Sequence, residues 1–293
     1  MSKYYCLIAG LPDITLDDTK LTYSVAEFKD ELDPVLSEGD KKLVRWFFFK
    51  YDNANLLSFL RRASFSGFDT RGVFSAEDIK EICDMVSNEK KATGKMFVPA
   101  YFTEFIKGYY ARFDDNIEAE PTRQILWEDK LSSLYYNEAM TCLNDFLSSW
   151  FELNLNIGNV MAAYNCREYG LDREVYIVGN NDIAKRLRQS STRDYNIDNA
   201  PDYFTELMQV IEDKDLFIRE RRLDVLRWNW LEDNILYKTF DIVSVLAYLL
   251  RLEMIERWIG LSKIRGEEKF RNFVGNMKHG SSETLEKFKE NNK

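Results

Sequence analysis

The chain alternates between helix-period stretches and short polar breaks. Apolar positions at Trp46, Phe49, Leu56, Leu57 and Leu60, with Asn53 as a polar member, repeat at three- and four-residue spacing and predict a helix through "RWFFFKYDNANLLSFLRR". Pro34 and Gly39 mark the break before it. After the loop "SFSGFDTRGVF", Ser75 with Asp78 three residues on predicts a capped helix start for "SAEDIKEICDMV". Aromatic residues recur at helical spacing in "YFTEFIKGYYARF" (101–113), as expected of a core-facing helix. From Pro121 to about Arg167 the pattern supports one or two very long helices. Further helices are expected across "NDIAKRLRQ", across the single stretch from Pro201 to Lys238, and across "IVSVLAYLLRLEMIERWIGLSKI". The opening "YYCLIAGLPDI" is different: a short apolar run closed by Gly-Leu-Pro suggests a strand or an extended arm.

One long helix carries an anomaly. "LNLNIGNVMAAYNCREYGL" (153–171) holds asparagines and a glycine inside a helical pattern, where both are unfavourable. Shifting the chain by 104 residues lays the earlier helix over it. Trp46 falls on Trp150, Phe49 on Leu153, Leu56 on Val160, Leu57 on Met161 and Leu60 on Tyr164. Asp52 falls on Asn156 and Asn55 on Asn159, so the apolar stripe and the polar pair coincide together. A period this long points to duplication of a whole module, not to a solenoid. A fainter third unit is suggested where Asp241 precedes Ser244 and Leu246. The Asx pairs can cap or kink a helix start, or bond the backbone of a neighbouring element.

Composition narrows the class. Only 5 prolines and 13 glycines in 293 residues favour long helices. A net charge of −9 argues against a nucleic-acid surface, which needs a basic footprint. Cys6, Cys83, Cys142 and Cys166 form no C-x-x-C clip and His279 is the single histidine, which disfavours a Cys/His zinc site and points to reduced thiols. The opening apolar run is too short for a secretion signal. The best apolar window is interrupted by Arg251, Glu253, Glu256 and Arg257, so no bilayer span is expected. These features describe a soluble chain.

Catalytic signatures are absent. There is neither a G-x-x-x-x-G-K-[ST] loop nor a G-x-G-x-x-G turn. A His-activated nucleophile has only His279 to draw on, in a polar tail expected to be frayed from Gly275. A di-iron bundle would need two Glu-x-x-His pairs. No cofactor and no metal are expected, and the balance moves toward a structural or interaction protein.

The repeated units resemble the C-type (also called d-type) central-stalk proteins of V/A-type ATPases. "LNLNIGNVMAAYNCREYGLDREVYIVGNNDIAKRL" is similar to that family's second module through Asn159, Gly170-Leu171, Gly179 and Ile183, with Arg167 displaced from the family's arginine. "KYDNANLLSFLRR" resembles the first module's D-x-x-N-L signature through Asp52, Asn55 and Leu56. "FDIVSVLAYLLRLEMIERWIGLSKIRG" resembles the third module's ending through Val245, Leu246, Tyr248, Leu249, Glu253, Arg257 and Ile259. Leu252, Ile255 and Trp258 stand where that family has Lys, Glu and Asn. The likeness covers most of the chain beyond about residue 40. The opening segment instead resembles an uncharacterised bacterial domain family found beside V-type ATPase subunits.

The resemblance implies an all-α funnel of three similar modules, with a short N-terminal strand or arm. Boundaries are expected at 1–115, 116–215 and 216–275, followed by a polar tail at 276–293. It implies a non-catalytic socket between the rotor stalk and the membrane proteolipid ring, peripheral on the cytoplasmic face, without nucleic acid or membrane insertion. The alternative is another helical scaffold or adaptor. Structural or interface roles are expected for Asp52, Asn55, Asn156, Asn159, Arg167, Glu253 and Arg257. The last two, at i,i+4, can pair on one helix face.

Overall fold

The computed structural model describes residues 4–61, 67–87, 97–111, 122–142, 144–190, 192, 195, 197 and 200–262, with the backbone alone at 122–126. The fold is all-α, and no strand occurs among the described residues. In chain order the helices are α1 (Tyr5–Ala9), α2 (Val25–Leu32), α3 (Glu38–Leu60), α4 (Ala76–Ser87), α5 (Ala100–Ala111) and α6 (Thr122–Met140). They continue with α7 (Asp145–Tyr169), α8 (Arg173–Tyr176), α9 (Asp182–Gln189), α10 (Phe204–Ile211), α11 (Leu216–Ile235) and α12 (242–262).

The chain divides into two compact units, Leu36–Asn234 and a second made of Met1–Val35 with Ile235–Lys293. The expected boundaries near 115 and 215 both fall within the first of these, and the expected tail lies outside the described residues.

In the larger unit, α3 packs with α4 and α6, α5 with α6, and α7 with α6, α8, α9 and α10. Aromatic residues join these helices. The Trp46 ring stacks on Tyr135, with centroids 6.1 Å apart, and Tyr135 meets Phe151 edge-on at 5.4 Å. Phe74 links Phe49 at 5.9 Å to Phe102 at 5.6 Å. Buried phenols need partners, and three find them on distant helices. Tyr135 Oη donates to Trp46 O at 2.7 Å, Tyr109 Oη to Leu60 O at 3.0 Å, and Tyr101 Oη to Asn53 Oδ1 at 2.8 Å. As expected, the aromatic stripe is core where it lies on α5: Tyr101, Phe102, Phe105, Ile106 and Tyr109 are buried, and Phe113 lies outside the described residues. Ser75 and Asp78 make the expected reciprocal bonds at the start of α4.

In the smaller unit, α2 buries Val25, Phe28 and Leu32, and α12 buries a nearly continuous run including Val245, Leu246, Leu249, Leu252 and Ile255. Phe28 meets Tyr248 at 5.1 Å, and the Tyr248 hydroxyl donates to Pro12 O at 3.3 Å. Ser24 opens α2 with a full capping box through Glu27.

Two expectations are corrected. The N-terminal segment is the short helix α1, not a strand or extended arm. Tyr4 N–H donates to Phe240 O at 2.7 Å, but the backbone beyond turns inward, with Ile8 N–H donating to Tyr4 O at 3.0 Å. Without a neighbouring strand, local helical bonds satisfy these polar groups. The stretch from Pro201 to Lys238 is two helices, not one. The chain breaks between Ile211 and Leu216, where Asp215 Oδ1 accepts from the N–H groups of Phe217 and Ile218 and starts α11 afresh.

Candidate functional site

The anomalous Asx residues lie in the middle of their helices. Asp52 and Asn55 are inside α3, and Asn156 and Asn159 are inside α7; all four are buried. They therefore do not cap or kink a helix start. Those roles belong to Ser37, which accepts from Asp40 N–H, and to Asn144, which accepts from Leu147 N–H. Each mid-helix pair instead holds the loop that follows its own helix.

The two asparagines nearer the helix C-termini perform the same act. Asn55 Nδ2 donates to Asp69 O at 2.9 Å, and its Oδ1 accepts from Asp69 N–H at 2.8 Å. Asn159 Nδ2 donates to Val178 O at 2.7 Å, and its Oδ1 accepts from Val178 N–H at 2.8 Å. A side-chain amide carries one carbonyl and one NH₂, so it can engage both backbone groups of a single residue as a neighbouring strand would. Burying the pair is tolerable because each polar group finds a partner.

The residues three positions earlier differ in chemistry. Asp52 Oδ2 accepts from Val73 N–H at 2.8 Å, and Oδ1 from Phe74 N–H at 3.0 Å. Both partners are donors, which suits an acceptor-only carboxylate. Asn156 meets one of each: its Nδ2 donates to the Tyr203 hydroxyl at 2.9 Å, and its Oδ1 accepts from Asn181 Nδ2 at 2.8 Å. Asn181 also caps α9, with its Oδ1 accepting from Ala184 N–H. Burial pushes the Tyr203 phenol up to about 12, against a smaller lowering by the Asn156 bond.

Glycines let the loops approach. A Cβ on Gly72 would collide with the Asp52 carboxylate. Gly179 has φ +76°, and a Cβ there would sit 3.0 Å from Leu155 Cδ2. Gly158 differs: a Cβ would meet open space, and nothing in the structure requires glycine at that position. Around the second loop, Arg188 Nη2 donates to the carbonyls of Ile177 and Gly179, both at 2.7 Å, flanking the residue that Asn159 holds. At the first loop, Arg71 forks onto the Asp69 carboxylate and holds its pKa below the usual carboxylate range.

The remaining expected residues lie elsewhere. Arg167, in the last turn of α7, places its guanidinium 5.4 Å from the Tyr164 ring centre and 5.9 Å from that of Tyr195. Glu253 and Arg257 lie on α12, in the smaller unit, and Arg257 sits over the Trp258 ring at 5.4 Å. Asp241 is not a third mid-helix member. It starts α12, accepting from Val243 N–H at 2.9 Å.

Asn181, Tyr203, Arg188 and Gly72 were not singled out from sequence; of these, Asn181 was legible as an N-cap before an amphipathic run. Sequence reasoning also missed Asp224, which is buried and bound to Arg227 Nη1 at 2.8 Å. Arg227 Nε then donates to Asn154 Oδ1 at 2.9 Å, tying α11 to α7.

As for chemistry, no group of three or more His, Cys, Asp or Glu is placed to hold a metal among the described residues. All four cysteines are free. No helix among the described residues is long and apolar enough to cross a membrane. The surface does carry an apolar run at the start of α11, where Leu216, Phe217 and Ile218 are exposed in succession.

A family model described as "Protein of unknown function (DUF2764)" matches residues 1–281. The chain belongs to the DUF2764 family. No curated protein matches it. The match takes in both loop-holding pairs of this DUF2764 protein, together with α12.

Proposed function

We propose that this protein is a non-catalytic socket within a V/A-type rotary ATPase, joining the rotor stalk to the membrane proteolipid ring. It works at the cytoplasmic face and attaches to the membrane through the complex. The observation that carries this reading is the paired Asx arrangement. Asp52/Asn55 and Asn156/Asn159 stand 104 residues apart and hold their following loops by the same Asn geometry. Asp52, Asn55 and Asn159 are also among the residues through which the sequence resembles the first and second modules of the ATPase socket family. A torque-bearing part needs loops fixed to rigid helices, and side-chain bonds to loop backbone provide that without any catalytic group. The acidic balance, −9 overall, suits basic helical ends of a stalk.

A second reading, a helical scaffold or adaptor with another partner, is favoured by the exposed Leu216-Phe217-Ile218 run, which suits any apolar partner surface. Affinity capture of the tagged protein from its native membranes, with mass spectrometry of the co-purifying chains, separates the two. Recovery of stalk and ring proteins, weakened at high salt, is expected. Their absence from membranes shown to contain the ATPase overturns the socket reading and leaves the adaptor.

A further inference from the structure

We draw no further inference here: the strongest candidate, the exposed apolar run Leu216-Phe217-Ile218 at the start of α11, carries nothing because nothing in the structure shows what covers it.

Discussion

The loop after α3 and the loop after α7 are held by the same asparagine geometry but by different companions. Asn55 and Asn159 each engage one residue's N–H and C=O. Three residues earlier, the first pair uses a carboxylate facing two N–H groups, and the second an amide facing a hydroxyl and another amide. The difference shows which part of the device is fixed by geometry and which by local supply. A loop residue crossing the helix in extended form always offers one donor and one acceptor, so an amide fits it wherever the unit occurs. The companion answers to whatever its own loop presents. The loops also differ in reach, 14 residues from Asn55 to Asp69 and 19 from Asn159 to Val178, so the contact tolerates insertion.

Substitutions can break this comparison, and the largest effect is expected at Asp52. Asp52→Ala leaves the Val73 and Phe74 amides without their carboxylate. At about 1–3 kcal/mol for each buried group left unsatisfied, a loss of about 3 kcal/mol is expected in urea unfolding. A loss below about 1 kcal/mol would show that water replaces the carboxylate and that Asp52 is not a holding residue.

Next come Asn55→Ala and Asn159→Ala, each expected to cost about 2 kcal/mol because the partner residues are only part-buried. The two losses should be alike, and the double variant should be additive within about 0.5 kcal/mol if the sites share no partners. Strongly unequal losses, seen by the same unfolding assay, would undo the equivalence.

The glycines sharpen the comparison from the loop side. Gly179→Ala is expected to cost about 1–2 kcal/mol in the same assay, from the left-handed backbone and the close Leu155 methyl.

A smaller effect is expected in alkali. Burial raises the folded-state pKa of Tyr203 to about 12 from 10.0, so folding favours the protonated phenol. Its contribution is complete below pH 10 and fades as pH rises toward 12. Tyr203→Phe should therefore flatten the alkaline fall in stability, as followed by circular dichroism from about pH 9 upward. An unchanged slope would place the titration elsewhere.

The smallest effect has the opposite sign. Gly158→Ala, in open space inside α7, should raise the unfolding midpoint through about 0.5–1 kcal/mol of helix propensity. Destabilisation there would mean that the position has a neighbour it does not show.

Much of this was legible in the chain. The helix-period stripes located α3 through α7 and α9, and the 104-residue shift laid Asp52/Asn55 over Asn156/Asn159 without any geometry. The partners were not legible. A side chain that bonds backbone 14 or 19 residues on obeys no local spacing rule, and Asp69 and Val178 share no residue type because only their backbone is used. The break before α11 was hidden for a related reason. Both flanks are apolar at helical spacing, and Asp215 resembles a surface residue until its carboxylate is seen to cap Phe217 and Ile218. The opening segment misled because a short apolar run is compatible with helix or strand, and the absence of a neighbouring strand decides between them.

The claim that one holding device is used twice is tested most directly by residue-resolved hydrogen exchange at the amides of Asp69 and Val178. Both should be protected in the parent protein. Asn55→Ala should release Asp69 alone, and Asn159→Ala should release Val178 alone. Fast exchange at either amide in the parent, or protection that survives loss of its own asparagine, would contradict the account.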